Sequence, residues 1–205
     1  FLISADAQLA SHRLRATLSH EIGTHAITHY NGQQQPFRQL YAGMAGYEEL
    51  QEGLAVLAEY LVGELDMRRM RLLAARVLAA DSVIQGADFV TTFNQLHKDY
   101  DFAPYTAFLI TLRVHRGGGY TKDMVYLRGL NKLLKYLKTA ETIDMLYTGK
   151  LSLEFLPLIE ELVWREVIQP AALMPRYLEQ KASRNRLRQL QQASGMATLL
   201  ENISR

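Results

Sequence analysis

The sequence predicts a mainly α-helical protein. Apolar residues recur at helical spacing over long stretches, Gly and Pro fall between those stretches, and only the opening "FLIS" reads as a strand. The fold class therefore allows at most a short N-terminal strand or small sheet. No fixed-period repeat or low-complexity tract is visible.

The first helix is expected to run through "DAQLASHRLRATLSHEIGTHAITHY", capped by Ser4 or Asp6, with Leu9, Leu14, Leu18, Ile22 and His25 near one face. A polar loop, "NGQQQPFRQLYAGMAG" at 31–46, should follow. Helices are then expected from about Tyr47 to Leu65 and from Met67 to Ile84. Two more are expected in "ADFVTTFNQLHKDY" and "APYTAFLITLRVHR", the latter begun by Pro104 in its first turn. "GGGYTKD" breaks the chain, and Thr121 is placed to cap a helix reaching Lys138. "ETIDMLYTGK" and "SLEFLPLIEELVWREVI" read as further helices, and Pro170 and Pro175 precede a basic terminal helix. Residues 1–140 are expected to form the core that carries the chemistry. Residues 141–205 would be a helical extension packed on the same domain.

Composition narrows the function. The chain has 205 residues, 48% hydrophobic and 21% charged, with a net charge of +2. That balance argues against a dedicated nucleic-acid binder, although residues 1–66 carry eight acids against three basic residues and 176–205 carry six basic residues against two acids. The basic end reads as a solvated packing helix rather than a membrane or acidic-partner surface. No apolar run approaches a membrane span, "FLISADAQLA" is too short and polar for a signal peptide, and a cytoplasmic location is expected. The opening Phe1 reads as the start of a piece of a longer protein. With no cysteine, any metal must be held by His and carboxylate.

"SHEIGTH" raises such a site. The familiar zinc-peptidase helix is H-E-x-x-H, but His20 and His25 are five residues apart. On a regular helix they would stand about 140° from alignment and could not share an ion. A π-type widening by one residue would align them, and Gly23 lies where that distortion is cheapest. The alternative is a pair of structural histidines. His25 and His29 have regular spacing, but Ala26 stands where a base would be needed. A third ligand could come from "YEELQEGLAVLAEYL", which offers Glu48, Glu49, Glu52 and Glu59. Gly53 and Ala55 would allow close helix approach around Glu52, whereas Glu48, Glu49 and Glu59 read as a solvated face.

HEIGTH followed by QEGLA resembles the tubulin tyrosine carboxypeptidase family of metallopeptidases. It looks closest to their bacterial members, named for the QEGLA motif and described as modulators of flavohaemoglobin expression. "RVHRGGGYTKDMVYLRGL" is similar to a third family segment, so the resemblance spans roughly residues 1–135. It implies a zincin-like (glutamate-zincin) helical domain with one zinc ion on His20, His25 and Glu52, and Glu21 as base. A carboxypeptidase acting on peptide or protein C-termini is the expected activity; a non-catalytic helical regulatory module is the alternative. Tyr126 or Tyr120 could support the oxyanion, and Arg113, Arg116 or Lys122 could hold the substrate carboxylate. Partners behind the histidines are not obvious: Val56 stands where related enzymes place an acid, and Asp88 or Asp123 could substitute. The sequence leaves the oligomeric state open.

Overall fold

The computed structural model describes residues 6, 10–116, 122–193 and 195–204. Among them the protein is mainly α-helical, with no β-strand. The expected strand in "FLIS" and the Ser4 cap lie outside the described residues, and Asp6 lies in a turn. Among the described residues the first helical structure is a 3-10 turn at Ser11–Arg13 leading into α1 (Leu14–His20). A π-helical segment, Glu21–Ala26, carries the chain on into α2 (Ile27–Gln33).

Apolar residues placed near one face of this helix do not pack on the core. Leu14, Leu18 and Ile22 are 46–50% exposed, while Ala16 and His20 are buried. Polar contacts set this orientation: Arg13, the Ala16 amide and His20 bond to Glu59 and Glu64, which turns their side of the helix inward. Leu18 and Ile22 instead line a surface groove beside Pro175 and Tyr177. The expected loop at 31–46 is also shorter, because α2 reaches Gln33 and a one-turn α3 (Gln39–Ala42) follows.

α4 (Tyr47–Leu61) is the centre of the molecule. Every residue from Leu50 to Leu61 is buried, as suits a helix enclosed on all sides. α1, the π segment, α8 (Lys122–Tyr136) and α10 (Lys181–Gln192) pack around it. The closest crossing joins α4 to α8 at a pair of glycines. A Cβ on Gly53 would run into the Gly129 carbonyl and sit 2.6 Å from the Leu130 amide nitrogen. Leu54, Leu57, Leu61, Leu130, Leu133 and Leu134 form the core at this crossing, and Tyr147, Leu190 and Leu199 join the same cluster.

α5 (Met67–Ile84) matches its expected span and is capped by Asp66, whose carboxylate accepts from the Arg69 amide at 2.7 Å. It packs with α6 (Phe89–Asn94) and α7 (Pro104–His115) around Ala75, Ala79, Leu96, Ala107 and Ile110. A π turn, Gln95–Asp99, closes α6. Two C-terminal expectations need correction. "ETIDMLYTGK" forms only a 3-10 turn, Asp144–Tyr147, because Tyr147 and Thr148 turn into the core. The next segment is a 3-10 turn followed by α9 (Leu156–Trp164), which is shorter than predicted. α11 (Met196–Ile203) follows α10. No helix among the described residues is long and apolar enough to cross a membrane.

Candidate metal centre

The π segment resolves the spacing problem posed by His20 and His25. The Ile27 amide bonds to the Ile22 carbonyl five residues back, and the Thr24 hydroxyl reaches the Ser19 carbonyl. The extra residue brings both imidazoles to one side, with ring centroids 5.2 Å apart and planes at 76°. Gly23 is buried there, and a Cβ would meet the Tyr177 ring at 3.0 Å.

Glu52 projects from α4 at the same point. Its Oε2 lies 3.5 Å from His20 Nε2 and 3.7 Å from His25 Nε2, and the ligand-type atoms of all three residues lie within 4.8 Å of one another. These separations are too long for hydrogen bonds. They are near the ~3.3 Å that separates ligand atoms around a tetrahedral zinc with bonds of about 2.0–2.1 Å. Glu52 Oε2 is buried without a hydrogen-bond partner, which also fits a cation between the three groups.

Each histidine is held from behind by α4. Glu59 Oε1 lies 3.0 Å from His20 Nδ1, and Gln51 Oε1 lies 3.2 Å from His25 Nδ1. Gln51 Oε1 also accepts from the Thr28 hydroxyl at 2.8 Å, so it serves as an acceptor for a His25 Nδ1–H. With Nδ1–H donated in both rings, Nε2 presents its lone pair to the common point.

Glu59 was expected on a solvated face, but it is 1% exposed. It accepts from Arg13 at 2.7 Å and from Arg69 Nη2 at 3.1 Å as well as facing His20. Burial opposes its charge, but His20, Arg69 and Arg13 outweigh that and hold its pKa down at about 2. Glu52 is likewise held well below the usual carboxylate range against burial by the two histidines. Burial disfavours a charged His20, yet Glu52 and Glu59 raise its pKa to about 9.

The cavity in front of these residues is about 350 Å³ and is lined by Glu21, Tyr47, Glu48, Lys122, Tyr126 and Lys150 beside the His–His–Glu cluster and Gln51. Tyr126 stacks on His20 with centroids 6.4 Å apart. Burial and the neighbouring Glu52 charge push its phenol up to about 12, so it stays a proton donor at neutral pH. Lys122 Nζ is 3.8 Å from Glu52 Oε1.

Other expected site residues lie elsewhere. Arg113 is bound to buried Asp123 at 2.6 Å, and Arg116 follows the end of α7 outside the cavity lining. Asp88 caps α6 through the Thr91 amide, so neither it nor Asp123 backs a histidine. His29 faces the Tyr41 carbonyl, and Glu49 pairs with Arg128 and Lys132. Tyr120 and the Thr121 cap lie outside the described residues.

The sequence that builds this helical scaffold resembles known proteins. The family model for microtubule-associated tyrosine carboxypeptidases matches residues 1–195, and the chain belongs to that family. Human MATCAP2 is 30% identical over 158 residues, covering 70% of this chain and 29% of the human protein. Rat microtubule-associated tyrosine carboxypeptidase 1 is 30% identical over 156 residues, covering 69% of this chain and 32% of its own length. The chain thus spans about a third of the curated relatives it matches.

Proposed function

We propose that this protein is a zinc-dependent carboxypeptidase that removes a residue from the C-terminus of a peptide or protein. The observation that carries the reading is the convergence of His20 Nε2, His25 Nε2 and Glu52 on one point, in a cavity that also contains Glu21. His20, His25 and Glu52 would hold the ion. When bound, zinc would acidify water and polarise the scissile carbonyl. Glu21 follows His20 directly, where its carboxylate can take a proton from water and return it to the departing amine. Tyr126, kept protonated, can donate a hydrogen bond to the carbonyl oxygen as negative charge develops there. The family's tyrosine carboxypeptidases make a C-terminal tyrosine the first substrate to try.

The test uses the full-length protein with tyrosine-ended peptides, elemental analysis for zinc, and mass spectrometry of the products. One zinc per chain and loss of single C-terminal residues are expected. Glu21→Gln should keep zinc and fold while hydrolysis falls by about 10²–10⁴. Zinc-loaded protein that cleaves nothing across a broad peptide library would overturn the reading. Equal cleavage by Glu21→Gln would overturn the role of the base.

A further inference from the structure

We propose that Lys150 holds the substrate's terminal carboxylate and so selects a chain end over an internal peptide bond. The inference rests on the carboxypeptidase reading and adds to it a residue that sequence reasoning did not single out. An exopeptidase of this kind needs a cation placed to meet a carboxylate beside the scissile bond. Among the described residues lining the cavity, the lysines are Lys122 and Lys150. Lys122 already stands 3.8 Å from Glu52, and its side chain is half exposed at the first residue of α8. Arg113, a stronger candidate by chemistry, is committed to Asp123.

Lys150 differs in how its backbone is held. Its N–H donates to the Leu40 carbonyl at 2.6 Å, and its carbonyl accepts from the Met44 amide at 2.9 Å. Gly149 lies so close to Leu40 that a Cβ would sit 2.6 Å from the Leu40 oxygen. Tyr147 and Thr148, just before it, are fully buried. The segment is therefore pinned, and the partly buried lysine chain extends from it over the Tyr47 ring, with Nζ 5.8 Å from the centroid. Glu48 lines the same cavity and is exposed, but Lys150 has no carboxylate partner among the described residues. A positioned ammonium without a carboxylate of its own, in the wall of a reaction cavity, is suited to an anionic substrate group. Because the backbone supplies the anchoring, the side chain can be replaced without releasing the segment.

The experiment measures binding in the full-length, zinc-loaded Glu21→Gln protein, which keeps substrate intact. The probes are N-acetyl-Ala-Ala-Tyr with a free carboxylate and the same peptide as its C-terminal amide, followed by calorimetry. The free acid should bind at least about tenfold tighter than the amide, as expected for a hydrogen bond to a charged group. Lys150→Met should remove that preference by weakening the acid alone, with zinc content unchanged, and Lys150→Arg should restore most of it. In protein with Glu21 intact, Lys150→Met should raise KM for the free acid far more than it lowers kcat. An acid preference that survives Lys150→Met, or is absent from the parent, overturns the proposal. If the preference depends on Lys150 but the parent hydrolyses no peptide, the carboxypeptidase reading fails while the carboxylate site stands.

Discussion

On the zinc reading proposed above, replacing Glu59 by glutamine should loosen the ion while leaving the protein folded. The Glu59 carboxylate is 1% exposed and faces three donor side chains: Arg13 at 2.7 Å, Arg69 at 3.1 Å and His20 at 3.0 Å. Glutamine has nearly the same volume but offers one acceptor oxygen and one NH₂ group. If the oxygen faces His20, the NH₂ meets guanidinium donors; if it faces the arginines, His20 Nδ1–H loses its acceptor. Removing one partner of a buried ion pair costs about 3–5 kcal/mol when the other charges are trapped. The side chains of Arg13 and Arg69 are 24% and 18% exposed, so both can turn partly to water. That relief lowers the expected loss of stability to about 2–3 kcal/mol. Loss of the group that orients a metal-bound histidine weakens metal binding by about 10–100-fold. Chemical denaturation of the zinc-free protein measures the first effect, and competition with a chromophoric chelator measures the second. A folded Glu59→Gln protein with unchanged zinc affinity would refute the argument that Glu59 aims His20.

Gly53→Ala should destabilise the protein by about 1–3 kcal/mol, because the added methyl meets the α8 backbone at Gly129 and Leu130; an unchanged denaturation midpoint would show that the helices can separate freely. pH should also matter in zinc-free protein. The folded pKa of His20, about 9, lies above its ordinary 6.5, so its contribution is complete below pH 6.5 and fades as pH rises towards 9. Melting temperatures of chelator-treated protein across that window should fall, and His20→Gln should flatten the fall.

Much of this arrangement is readable from residue spacing. α7 carries a clear start signal in Pro104, and Gly23 between two misaligned histidines points to the π turn. Gly53 beside Glu52 similarly points to the close helix crossing. The residues behind the histidines are harder to read, because buried charge and solvated charge look alike in one sequence. A signal was present: Glu59 follows Glu52 by seven residues, two helical turns, and Arg13 precedes His20 by the same interval. Matching offsets of opposite charge on two helices suggest contact at two levels. The Leu14–Leu18–Ile22 stripe faces outward, since ion pairs rather than apolar area set the rotation of α1. Lys150 has no motif at all, and only the folded loop brings it to the cavity.

α4 alone supplies the Glu52 carboxylate and the groups behind both histidines, Gln51 and Glu59. The site thus has two rigid halves, one rod bearing the imidazoles and another bearing Glu52 and the side chains behind both rings. Its precision depends on a single sliding coordinate between those rods. A shift along it would misalign Glu52 and both supporting contacts together, so the site should assemble or fail as one unit. Tight backbone contact at Gly53 and Gly129 fixes α4 on its other side, against α8. Substitutions remote from the cavity that pry α4 from α8 should therefore disturb Gln51, Glu52 and Glu59 together.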